Sequence, residues 1–159
     1  MNKIRTPTSV ALLLSILLAS AIFAAPASAS EQVPLKGTLQ AVETSVLQFP
    51  TLLVDSSGSG NATHLGRYTV SYEATANLLT GYGTGSAQFV AANGDILFAQ
   101  GWGQATLTAP NVYMIHEEYT ITGGTGRFAG ASGSYVVERV LDMATGETSG
   151  TIDGRIAIH

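Results

Sequence analysis

The chain has no cysteine among its 159 residues. That excludes a disulfide framework, a thiolate metal site, a cysteine nucleophile and a lipid anchor on cysteine. Charge is also scarce, at 11% of residues, and cations are fewer than acids (7 against 11). No basic run is present, which argues against nucleic acid and anionic membranes as partners, since both are held by clustered Lys and Arg. Long apolar runs are confined to the first 25 residues. The three histidines have no recognisable nucleophile beside them, so no Ser-His-Asp arrangement can be drawn.

The one long apolar run has a specific design. Lys3 and Arg5 precede it, Val10 to Ala25 is interrupted only by Ser15 and Ser20, and Pro26 leads into Ala27-Ser28-Ala29. A positive start, a short apolar middle and an A-x-A exit predict a secretory signal peptide over residues 1–29, cleaved after Ala29. The competing reading, a membrane anchor, needs a longer stretch of about 20 apolar residues. The mature domain is then 30–159, exported to a periplasm or secreted. It is more acidic than the whole chain, because Lys3 and Arg5 leave and no acid does.

Within 30–159, Gly, Thr, Ser, Val and Tyr dominate and the apolar residues alternate, which is the period of a strand. Tyr68, Val70 and Tyr72 fall opposite Arg67, Thr69, Ser71 and Glu73. Ile96, Phe98 and Trp102 fall opposite Leu97, Ala99, Gly101 and Gly103. Tyr113, Ile115, Tyr119 and Ile121 share a face with Glu117, while His116 and Glu118 share the other. Turn signals stand at Asn93-Gly94-Asp95, Ala109-Pro110-Asn111 and Ala144-Thr145-Gly146, and Ser56 to Asn61 reads as a Gly/Ser loop. Strands are expected near 36–48, 50–55, 63–75, 83–92, 95–106, 111–122, 133–142 and 148–158. Eight consecutive strands with short connections predict a single all-β domain, an eight-stranded antiparallel calycin-like barrel. A two-sheet sandwich is the alternative. Glycines inside the strands favour the barrel, because they mark places where a sheet curls.

The segment from Ile121 to Gly133 (ITGGTGRFAGASG) contains the G-x-G-x-x-A pattern of a dinucleotide turn at Gly124, Gly126 and Ala129. That motif must open a helix to meet a pyrophosphate, and here Ser134-Tyr135-Val136-Val137 reads as a strand. The glycines are expected instead to make a tight turn and a bulge, with Phe128 plugging the end of the barrel. The same segment resembles the G-G-T-G-x-F-x-G-A-x-G turn of the allene oxide cyclase and dirigent group. Upstream, Thr63-His64-Leu65-Gly66-Arg67-Tyr68 is similar to that group's T-x-x-G-R-Y/F strand. As a strand order the resemblance spans about 36–158, and it is closest to bacterial secreted members with no assigned activity. It implies an eight-stranded barrel with an apolar interior, often trimeric in the plant members. The cyclases are described by an interior glutamate and an ordered water, the dirigent proteins by acidic, arginine and tyrosine groups in the cavity.

Two candidate carboxylates follow. Glu117 comes from strand phase, since a carboxyl on an apolar face has its pKa raised and is poised for proton chemistry. Its simpler role is a partner for an inward arginine, Arg139. Glu43 comes by analogy with the cyclases. Arg67, Tyr72, Phe98, Trp102, Tyr113 and Tyr119 are the candidate ligand-binding groups. His116 with Glu118 lacks the further ligands a metal requires, so no metal and no cofactor is expected. The function expected is an exported barrel that binds a small hydrophobic molecule or acts through its surface as a dimer or trimer. The alternative is an isomerase or cyclase on a lipid-derived or phenolic substrate, using Glu117 or Glu43.

Overall fold

Strands β1 (Gln32–Gln48) and β8 (Glu147–Ala157) lie far apart in sequence yet pair along most of their length, and that pairing closes the sheet. The structure, a computed structural model, describes residues 31–158; the leader expected over 1–29 lies outside the described residues. Between the two closing strands run β2 (Thr51–Ala62), β3 (Gly66–Asn77), β4 (Tyr82–Ala91), β5 (Ile96–Ala109), β6 (Val112–Gly124) and β7 (Ser132–Asp142). Every neighbour is antiparallel and consecutive, so the fold is a closed, eight-stranded up-and-down barrel. Closure leaves no strand edge unpaired.

Alternation sorts each strand into an inner and an outer row. On β3 the inner row begins Tyr68, Val70, Tyr72, and on β7 it runs Tyr135, Val137, Arg139, Leu141. The outer rows are largely Thr, Ser, Gln and charged residues, the reverse of what a lipid-facing barrel wall needs. Among the described residues no helix is long and apolar enough to cross a membrane.

One half of the barrel is filled and the other is open. At the filled end Leu35, Leu65, Leu97, Phe128 and Ile156 are almost wholly excluded from water. Above them the aromatics pack edge to face, Tyr68 on Phe89 at 5.2 Å and Phe89 on Tyr135 at 5.8 Å; Tyr135 then stacks on Tyr119 at 5.1 Å. The Tyr68 hydroxyl donates to the carbonyl of Thr38 at 2.7 Å, and burial pushes its pKa up to about 12.

The glycine-rich segment does what was expected of it. After a bulge in β6 beside Phe98, the chain makes a three-residue 3₁₀ turn, Gly126–Phe128, and enters β7 with no helix to receive a phosphate. Thr125 ties the turn to the β4–β5 hairpin: its N–H donates to the Ile96 carbonyl at 2.8 Å and its hydroxyl accepts the Ile96 N–H at 2.9 Å. The Asp95 carboxylate accepts the Arg127 backbone N–H, and the Arg127 guanidinium lies over the Phe128 ring. Phe128 is thereby held as a plug.

The Gly/Ser loop expected over 56–61 is not a loop. These residues are the second half of β2, paired on both sides. Gly58 and Gly60 serve close packing here. A Cβ on Gly58 would lie 2.4 Å from that of Ala41, and one on Gly60 would lie 2.5 Å from the Tyr68 hydroxyl and closer still to the Thr38 carbonyl. Gly60→Ala is expected to cost about 1–3 kcal/mol, the usual penalty of overpacking, measured by urea denaturation.

Candidate functional site

The open half is a cup. Its mouth lies among the β1–β2, β3–β4, β5–β6 and β7–β8 turns, and its cavity volume is about 170 Å³. The walls carry Leu52 and Val54 from β2, Ala74 and Ala76 from β3, Ile115 from β6 and Leu141 from β7. On the β4–β5 side the inner row is glycine, with Gly83 opposite Gly103 and Gly85 opposite Gly101. These glycines border the cavity, and a Cβ at any of them would meet the neighbouring strand at 2.1–3.0 Å, so here too glycine serves close approach.

The floor of the cup is polar. Arg139 of β7 reaches inward and meets Glu117 of β6 through two parallel bonds, Nε to Oε2 at 2.8 Å and Nη2 to Oε1 at 3.0 Å. Its Nη1 bonds Glu43 Oε1 of β1 and donates to Thr148 Oγ1 of β8 at 3.1 Å. The Tyr72 hydroxyl of β3 bonds the same Glu43 oxygen, and the Arg139 guanidinium lies 5.2 Å from the Tyr72 ring centre. Tyr119 of β6 completes the layer. All of these side chains are buried. Four strands that are not all neighbours thus meet on one guanidinium.

The electrostatics follow from a count. Two carboxylates share one guanidinium, so the fully ionised floor carries a single excess negative charge. Burial raises the Glu43 pKa above 4.5; the charge and hydrogen bond of Arg139 work against this, and Glu117 adds to it. Burial opposes charge on Arg139 as well, but its bonds to both glutamates prevail and hold it protonated. The Tyr119 hydroxyl is pushed up, first by burial and then by the Glu117 charge. The floor therefore has a fixed cation and one carboxyl able to exchange a proton with the cavity.

Because Glu43 holds its proton more tightly folded than unfolded, it stabilises the fold fully below its ordinary 4.5. That contribution is lost as pH rises through the higher folded value. Glu43→Gln keeps the shape and removes the titration. Its melting temperature is expected to exceed that of the wild type at pH 8, and the gap to close by pH 4. A gap that is constant across this range in calorimetry would contradict the assignment.

The structure brings together Glu43, Glu117, Tyr72 and Tyr119, with Tyr113 half-buried nearer the mouth. Glu117 is also the arginine partner that strand phase suggested. Three expected ligand-binding residues turn their side chains outward, although Trp102 borders the cavity between Gly101 and Gly103. Phe98 and Trp102 are on the outer wall, because the inner row of β5 is Leu97, Ala99, Gly101 and Gly103. Trp102 stacks outside on Tyr82 at 6.0 Å. Arg67 is exposed at the start of β3, since Tyr68 beside it takes the inner position. Thr148 was not anticipated; its hydroxyl donates to the Val140 carbonyl while accepting from Arg139. On the outside, His116 Nδ1 lies 2.6 Å from Glu138 and Nε2 lies 3.5 Å from Glu118, all exposed. Among the described residues no group of three or more His, Asp or Glu is placed to hold a metal.

Comparison with protein-family models, with curated proteins and with solved structures finds no match to this chain.

Proposed function

We propose that this protein is an exported barrel that holds a small, largely apolar molecule in its open half. The carrying observation is the dead-ended cavity itself, with largely apolar walls above a buried polar floor. That is the usual composition of a small-molecule site. An exported location rests on the leader pattern of residues 1–29, and the kinship with allene oxide cyclase and dirigent barrels rests on the 121–133 turn.

Native mass spectrometry of protein purified from its export pathway tests the reading. The expected result is an adduct that disappears on denaturation and is absent from Ala76→Trp, which blocks the mouth from an inner position of β3. A bare mass for wild type, with no displacement of a fluorescent apolar probe by any extract, would overturn it. The same spectrum reports whether the protein is a dimer or trimer.

A second reading, an isomerase or cyclase using proton transfer, is favoured by one observation. Glu43 is a buried carboxyl of raised pKa opening on the cavity. Turnover of the eluted adduct by wild type and not by Glu43→Gln separates catalysis from storage.

A further inference from the structure

We propose that the floor of the cup binds the head group of a small organic cation, a primary amine on a compact ring, with its ammonium on Oε2 of Glu43. This inference rests on the ligand-holding reading above and names the ligand's chemical class.

The hydrogen bonds at the floor are unevenly used. A guanidinium has five N–H donors, and four of them are engaged here: two by Glu117, one by Glu43 and one by Thr148. Arg139 therefore has almost nothing left for an incoming anion. Glu43 is in the opposite condition. Tyr72 and Arg139 both bond its Oε1, while Oε2 takes no hydrogen bond from any described residue. That oxygen is not sealed off either, because the one fully buried side-chain polar atom without a partner among the described residues is the Tyr135 hydroxyl. The Glu43 side chain is only 8% exposed, so its free oxygen is aimed into the cavity it lines.

Charge points the same way. An anionic head group would meet two carboxylates and a guanidinium already shared between them. A cationic one would neutralise the excess carboxylate in a site where water is scarce and Coulomb energy is large. The body of the ligand would lie against the apolar walls formed by Leu52, Val54, Ala74 and Ile115. A cavity of about 150 Å³ holds a benzene ring, so the 170 Å³ here suits one ring with a short arm.

Titratable groups face the head group from every side: Glu43 on β1, Tyr72 on β3, Glu117 and Tyr119 on β6, and Arg139 on β7. Of these Glu43 holds its proton more tightly than an ordinary carboxyl and must release it to pair with an ammonium, so an amine is expected to bind more tightly as pH rises.

Isothermal titration with three probes of one shape and different charge decides the matter: benzylamine, benzyl alcohol and benzoate. In the wild type the amine is expected to bind at least about tenfold more tightly than the alcohol, or about 1.4 kcal/mol, and benzoate not at all. Glu43→Gln should bring amine affinity down to that of the alcohol. The wild-type ranking stands without the variant, so misfolding of Glu43→Gln could not obscure the result. Benzoate binding best, an amine preference that survives the substitution, or an acidic native adduct would overturn the inference while leaving the ligand-holding reading intact. No binding of any probe, together with a bare native mass, would overturn that reading too.

Discussion

Replacing Arg139 by methionine is expected to lower the stability of the barrel by about 3–5 kcal/mol at pH 7, the usual result of removing one partner from a buried ion pair. The substitution keeps an unbranched, flexible stem and deletes the guanidinium with its charge. Glu43 and Glu117 would then face each other across the floor without a counter-ion, with four bonds lost at once. The pH dependence identifies the cause. Without Arg139 two buried carboxylates lose their shared counter-ion, so the variant's deficit should shrink as pH falls toward 4 and grow as it rises. A loss of packing alone would be the same at both ends of that range. Urea titrations of wild type and variant at pH 4.5 and 7.5 make the comparison. Adding Glu43→Gln and Glu117→Gln to the methionine variant removes the orphaned charges and should recover most of the loss at pH 7.

A loss of similar size, but without pH dependence, is expected at the other end. Phe128 is fully buried beneath the aromatic layer and is the largest side chain so enclosed. Phe128→Ala removes a ring from a site whose walls are paired strands and cannot collapse inward. The expected cost is about 3–5 kcal/mol. The side chain removed carries no titratable group, so this loss should be independent of pH between 4.5 and 7.5. Phe128→Leu retains most of the volume and should cost less than about 1.5 kcal/mol. If Phe128→Ala proved nearly neutral, the turn from Gly123 to Gly133 would have to be held by its ties to Asp95 and Ile96 instead of by the plug.

The two ends of the barrel were not equally legible in the sequence. Strand number, order and most turns could be read because each hairpin has its own local chemistry, such as Asn93-Gly94 or Pro110-Asn111. Closure could only be inferred, since β1 and β8 carry no local mark of their pairing. Glu117 was readable because Tyr113, Ile115 and Tyr119 fix the phase of β6. Arg139 follows from Tyr135, Val137 and Leu141 in the same way. The phase of β5 misled for a physical reason. Both of its rows alternate, and size suggests that Phe98 and Trp102 belong inside. An interior already occupied by Phe89, Tyr119 and Tyr135 has no room for them, and the small row of Ala99, Gly101 and Gly103 goes in. Residues 56–61 misled because glycine and serine are common to flexible loops and to tightly packed strands. What separates the two is the neighbour across the sheet, here Ala41 and Tyr68. The cavity was the least legible feature, because empty space depends on the sum of side-chain volumes from all eight strands.

The pairing of β1 with β8 also sets a timetable. As the chain leaves the ribosome or a translocation pore, β1 comes first, and the partner for one of its edges comes last. Lys36 waits for Asp153 and Gln32 for Ala157. The polar floor waits nearly as long, since Glu43 meets Arg139 only when β7 has emerged. Until then two raw strand edges and an unneutralised carboxylate are exposed, and these favour an extended, unfolded chain over any partial barrel. The pair of strands that is last to become available is thus the contact that completes the barrel.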